Sequence, residues 1–183
     1  MKLSRLVSGV IALAVCLNVS CEFAQIERGQ VFSPLMLHPG LERYLGEQFR
    51  ACEAVTAEDY DPEDLRLLGP RWRVTGDFDG NGQQDICLLM KCPGEGNLLI
   101  VAVHRTAAGF EHFVLDRMLC GGRRIGTTLD TEGPGLVRVS MADDVEELKD
   151  LSNPGILVNV LETCNERLYY WEDGRYKSAY RGL

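Results

Sequence analysis

The apolar positions change period once along the chain, near Trp72. Before it, Leu41, Leu45, Phe49 and Cys52 recur every three or four residues, with Glu42, Arg43, Glu47 and Arg50 elsewhere on the wheel, which predicts an amphipathic helix from Gly40. A second short helix is predicted over Asp61–Leu68. Asp61 caps it, Pro62 fits its first turn and Gly69-Pro70 stops it. The acids around it, Glu58, Asp59, Asp61, Glu63 and Asp64, read as a solvated face. After Trp72 the runs are short, alternating or wholly apolar: Arg71–Thr75, Ile86–Lys91, Leu98–His104, Phe110–Asp116, Leu136–Met141, Ile156–Glu162, Leu168–Trp171 and Arg175–Tyr180. Turn residues separate them at Pro93–Asn97, Ala107–Gly109, Gly121-Gly122 and Gly133–Gly135, and Asp173-Gly174 is a strong two-residue hairpin signal. Asp143–Asp150 reads as a short acidic helix. The expected fold is α+β and mostly β: two short N-terminal helices followed by an antiparallel β-meander of about six to eight strands.

Composition narrows the function classes. With 183 residues, 45% of them hydrophobic and 25% charged, the chain suits one compact domain and is not a disordered or fibrous sequence. A net charge of -8 argues against nucleic acid, whose binders need a basic patch, and suits cations. No G-x-S-x-G elbow, P-loop or G-x-G-x-x-G fingerprint is present.

The N-terminus looks like an export segment. Lys2 and Arg5 precede an apolar stretch from Leu6 to Leu17, too short for a comfortable membrane span of about 20 residues. Asn18-Val19-Ser20-Cys21 then resembles the bacterial lipoprotein box, which implies cleavage before a lipidated Cys21. The expected organisation is a signal peptide over residues 1–20, a tether over 21–39 and a single β-rich domain over 40–183. That places the product in the periplasm or on a membrane held only through its lipid, or secreted if Cys21 is unmodified. Beyond Cys16 and Cys21 the cysteines are Cys52, Cys87, Cys92, Cys120 and Cys164. Export favours disulfides among them, and no close pair of zinc-site type occurs. Spacing leaves the pairing open, although in a meander Cys92, Cys120 and Cys164 would fall at the same end of the sheet.

The chemistry concentrates in Gly76-Asp77-Phe78-Asp79-Gly80-Asn81-Gly82-Gln83-Gln84-Asp85. Calcium takes six to eight oxygen ligands, and acids on alternate residues of a tight loop offer Asp77, Asp79 and Asn81 to one centre. Gly82 permits the sharp turn, the Gln83 carbonyl can face the ion and Asp85 closes the shell. Without a counter-ion, the crowded carboxylates would repel one another. It is not an EF-hand: Leu88 stands where that loop needs a bidentate Glu, and both flanks read as strands. The phrase from Val74 to Leu89 instead resembles the calcium loops of FG-GAP/VCBS-type repeats, found in integrin-like β-propellers. The resemblance implies calcium ligation by Asp77, Asp79, Asn81, the Gln83 carbonyl and Asp85. Only one copy occurs, and the chain is too short for a propeller of several four-stranded blades, so it is a stand-alone relative at most.

Other candidates are weaker. Hairpin register pairs His104 with Glu111 and His112 with Val103, so the two rings need not share a face, and each reads as a satisfied or exposed histidine. Asp143, Asp144, Glu146, Glu147 and Asp150 read as a solvated face before a second cation patch. Tyr169, Tyr170, Trp171, Tyr176 and Tyr180 crowd the last hairpin, some for the core and others free to dock a partner or glycan. The expected function is a non-enzymatic cell-envelope (lipo)protein, a binding or assembly module stiffened by one structural calcium. The alternatives are an exported metal-assisted hydrolase, which would need an open metal position, and a calcium-responsive switch.

Overall fold

The structure is a computed structural model that describes residues 39–69, 71–93, 97–119, 125–140, 145–160 and 166–181. The segments expected to be a signal peptide (1–20) and, up to residue 38, a tether, together with Cys21, Cys120 and Cys164, lie outside the described residues.

The two helices are where the pattern puts them. α1 (Pro39–Gln48) buries Leu41 and Leu45. α2 (Pro62–Leu68) starts at Asp61, whose carboxylate accepts the Glu63 N–H, and ends at Gly69 with φ +70. Among the described residues eleven strands follow or interleave: β1 (Glu53–Ala54), β2 (Arg73–Gly76), β3 (Asp85–Cys92), β4 (Asn97–Thr106), β5 (Gly109–Leu119), β6 (Thr127–Glu132), β7 (Gly135–Ser140), β8 (Glu146–Leu151), β9 (Gly155–Val160), β10 (Glu166–Glu172) and β11 (Arg175–Arg181).

The mostly-β class holds, but the single meander of six to eight strands does not. The strands form two antiparallel sheets. In the first, β3, β4 and β5 are consecutive neighbours, and β1 and β2 share the outer edge of β3. The second runs β6-β9-β10-β11-β7-β8. The acidic helix expected over Asp143–Asp150 is also corrected: Glu146–Leu151 is edge strand β8, paired with β7 from Ser140↔Glu146 to Gly135↔Leu151. Residues Glu146, Glu147, Leu148 and Asp150 are all exposed there, so the sequence carries no inward alternation to announce a strand.

Burial follows from strand parity. Cys87, Leu89, Leu98, Ile100 and Ala102 face Leu129, Ile156, Val158 and Tyr169 across the two sheets, with Val55, Tyr60, Phe78 and Ile125 completing the core. The opposite face of β3 and β4 packs against α1 through Ile86, Leu88, Met90, Leu99, Val101 and Val103. The outer face of the second sheet is covered by its own strands. β7 leaves β11 after two pairs, and Val137, Val139 and Leu151 pack on Leu157, Leu168 and Tyr170. The β2 and β6 edges are stitched by the Leu129 N–H to Arg71 carbonyl bond at 2.6 Å and by the Arg71–Asp130 ion pair. Cys52 and Cys92 form a disulfide, tying the exit of α1 to the end of β3. Cys92 therefore pairs with Cys52 rather than with Cys120 or Cys164. The α1 exit comes off the helix-covered face of the sheet, a proximity that meander spacing does not contain.

Candidate metal centre

β2 and β3 are closed by the Gly76↔Asp85 pair, and the segment between them is the acidic loop. Phe78, with 0% exposure, plugs the inter-sheet core and anchors the loop. The flanking polar side chains then satisfy the loop's own backbone. Gly82 N–H donates to Asp77 Oδ2 at 2.9 Å, Asn81 N–H to Asp79 Oδ1 at 3.0 Å and Gln83 N–H to Asn81 Oδ1 at 2.7 Å. Gly80 is favoured by its backbone conformation and lies close under the Asn153 side chain. Its φ is +76, and a Cβ there would sit 2.6 Å from the Asn153 side chain.

Asp85 is the hub. It is 2% exposed, yet Oδ2 accepts the Phe78 N–H and Oδ1 the Arg105 N–H, each at 2.9 Å. It thus ties the start of the loop to the end of β4. Burial raises its pKa, while the Arg105 amide and His104 pull the other way. His104 comes from β4, one step beyond the Ile86↔Val103 pair, on the inward face. Its Nδ1 lies 3.3 Å from Asp79 Oδ2 and its Nε2 lies 2.7 Å from Tyr176 Oη. Phe113, Trp171 and Tyr176 surround the ring at centroid distances of 4.8, 4.7 and 5.4 Å. Burial, and then the neighbouring Cys87, Asp85 and Asp79, push the Tyr176 phenol up, so it keeps its proton at neutral pH.

Of the five residues picked out by the sequence, the structure draws Asp79 and Asp85 together and adds a third, unexpected one. Ligand-type atoms of Asp79, Asp85 and His104 all lie within 4.8 Å of one another. Asp77 stands outside that cluster, and its Oδ1 is buried with no hydrogen-bond partner. Asn81 donates from Nδ2 to Asp79 Oδ2 at 2.8 Å and to the Arg105 carbonyl at 2.9 Å. Gln83 is half-buried and is tied in through its N–H. The expected register is present, with His104 opposite Glu111 and Val103 opposite His112. His112 faces the helix side, 2.8 Å from Tyr44 Oη, and His104 the cleft. The signal for His104 was available: closing the β3–β4 hairpin at Cys92↔Asn97 places it beside Asp85. Of the crowded aromatics, Tyr169 and Tyr170 are buried on opposite faces, while Trp171 and Tyr176 enclose His104.

The donor set fits a cation. Each carboxylate oxygen has more than one lone pair, so those bonded to loop amides keep ligating capacity. By donor type, oxygens from Asp77, Asp79, Asn81 and Asp85 with the Gln83 carbonyl would make a hard set of calcium type, whereas Asp79, Asp85 and His104, the groups the structure draws together, make a mixed nitrogen–oxygen set. Asp85 at 2% and His104 at 1% exposure are shielded from solvent. No known family model, curated protein or solved structure matches the chain.

Proposed function

We propose that the loop from Asp77 to Asp85 binds one calcium ion whose role is structural, in an exported protein that works by binding rather than catalysis. The observation that carries the reading is the buried, partnerless Asp77 Oδ1 in a loop that also holds Asp79 and Asp85. A buried charged oxygen without a partner is costly, and a cation removes the cost. The resemblance to FG-GAP/VCBS-type loops supports the same ligands. The ion would clamp β2 and β3 to the end of β4, where Asp85 already holds the Arg105 amide.

Calcium titration followed by thermal melting tests this. Calcium raises Tm in a concentration-dependent way, magnesium does so less, and Asp79→Ala removes the increase. A flat response to calcium sinks the proposal. A second reading rests on His104: with its nitrogen among the ligands, the preferred ion is zinc or manganese. His104→Gln then abolishes a zinc-induced rise while sparing a calcium-induced one.

The envelope assignment is supported by the Lys2–Leu17 segment, by the Val19-Ser20-Cys21 sequence and by the Cys52–Cys92 disulfide, a bond typical of oxidising compartments. Mass spectrometry of the mature N-terminus distinguishes a lipidated Cys21 from a soluble product. A binding or assembly role is supported by the apolar exposure of the β7–β8 hairpin, where Leu136 is 70% and Leu148 66% exposed.

A further inference from the structure

Among the described residues, the space between the sheets is filled at the loop end and holds a gap at the other. The gap begins with a bulge in β5. Val101 pairs with Val114 and Ile100 with Asp116, which leaves Leu115 as the extra residue. Up to the bulge, odd-numbered residues face the second sheet: Phe113 and Leu115 both pack on the inter-sheet core. Beyond it the even-numbered ones do. Met118 joins the core, and Asp116 reaches Arg167 and Tyr169. Regular alternation would have turned that aspartate outward. Across from it, β9, β10 and β11 leave a cavity of about 210 Å³ with apolar walls of Met118, Val158 and Val160. At ~30 Å³ per water, this is room for about seven waters, the scale of a small organic acid.

The polar groups of this cavity differ in what they have left to give. Asp116 is engaged at both oxygens: Oδ1 accepts the Arg117 N–H at 2.7 Å, and Oδ2 accepts Arg167 Nη1 at 2.9 Å and Tyr169 Oη at 2.8 Å. Arg167 also reaches Tyr169 Oη from Nη1 at 3.5 Å and donates from Nη2 to Tyr180 Oη at 2.7 Å. A guanidinium has five N–H groups, so donors remain, and the Tyr180 hydroxyl, accepting from Arg167, keeps its own proton to give. Both side chains are partly open to solvent, Arg167 at 37% and Tyr180 at 40%. Acceptors already engaged by Arg167 and Tyr169, beside donors with N–H and O–H groups left, favour an anion, and the apolar walls favour a carbon body.

We propose that this end of the cleft binds a small monocarboxylate with an apolar body. Arg167 and Tyr180 hold the carboxylate, and Met118, Val158 and Val160 hold the body. The site is independent of the cation loop. Titration of the disulfide-bonded protein by heteronuclear NMR tests it, with phenylacetate as probe and 2-phenylethanol and phenethylamine as neutral and cationic controls. Saturable shifts confined to the β5, β9, β10 and β11 residues named above are expected for phenylacetate, with both controls at least about tenfold weaker. Tyr180→Phe removes only a hydroxyl and weakens phenylacetate by roughly tenfold, and Arg167→Gln by more. Because Arg167→Gln removes the charged partner of Asp116 and so also bears on stability, Val160→Trp is the independent check. It fills the cavity, retains a folded spectrum and loses binding. Tighter binding of the amine, equal binding of all three probes, binding undiminished in a folded Val160→Trp protein, or no saturable shift up to about 10 mM phenylacetate overturns the proposal.

Discussion

The two ends of the inter-sheet cleft lie about 20 Å apart along β4, from Leu98 to His104 at ~3.3 Å per residue, and they treat buried polarity in opposite ways. At the loop end the polar groups are deep and largely committed: Asp85 to two amides, His104 between Asp79 and Tyr176, all under a ring of aromatics. At the other end Asp116, Arg167 and Tyr180 line a gap and, among the described residues, are partly exposed, with donors to spare. Sealing a polar cluster from water demands that nearly every atom find a partner; among the described residues of the loop end Asp77 Oδ1 has none, and on our proposal a cation supplies it. A partly exposed site carries no such demand, so its spare donors cost little and are free for a ligand. The braces differ too. A covalent bridge secures the gapped end, since Cys92 pairs with Asn97 beside Leu98, while on our proposal an ion secures the loop end.

The largest test of this contrast removes the covalent brace. With a sequence separation of 40, replacing Cys52 and Cys92 by serine costs about 4 kcal/mol on chain-entropy grounds, read by urea denaturation. The calcium-induced rise in Tm survives in that variant if the ends are independent, and its disappearance would show that they are coupled. Next in size is Phe113→Ala. It takes a half-buried ring out of the His104 cluster and costs about 2–3 kcal/mol, while Met118→Ala, beside an existing gap, costs nearer 1 kcal/mol. Equal costs from matched denaturation curves would mean that the two ends are equally well packed. Filling the gap goes the other way: Val158→Ile adds one methylene against the cavity and gains up to about 0.8 kcal/mol, measurable as a higher denaturant midpoint at unchanged slope.

The smallest effect concerns pH at the tip of the last hairpin, next to Trp171. Lys149, then Lys177, hold Glu172 down to about 2, below its ordinary value of 4.5. A depressed folded-state pKa gives stability that is present above the ordinary value and is lost as pH falls toward the depressed one. Glu172→Gln therefore melts with a shallower loss than the parent between about pH 4.5 and about pH 2, by a small margin because the group is at the surface. Identical pH profiles for the two proteins would remove this contact from the account of the loop end.

Much of this was legible residue by residue. The Asp61 cap, Pro62 and Gly69 fixed α2, and Asp173-Gly174 fixed the β10–β11 hairpin, where both residues have positive φ. β6 was not legible. Its Thr127 and Thr128 are buried polar residues, each at 4% exposure, and a search for apolar alternation passes over them. The acidic run of β8 reads as a helix in the sequence because an edge strand with nearly every side chain in solvent carries no period-two signature. At the candidate centre the loop residues were legible from spacing within one short segment. His104 needed the register of a second hairpin as well, and the same register argument separated it from His112.

The sequence by itself determined whatever depends on neighbours along the chain: the caps, the tight turns, the strand alternation and the crowding of carboxylates from Asp77 to Asp85. These follow from backbone geometry and local charge, whose range is a few residues. Tertiary structure alone decided the division of the strands into two sheets, the Cys52–Cys92 bond, the sealing of His104 among aromatics and the inward turn of Asp116. Each of these depends on which segment arrives from far along the chain, and a pattern read within a window does not encode that arrival.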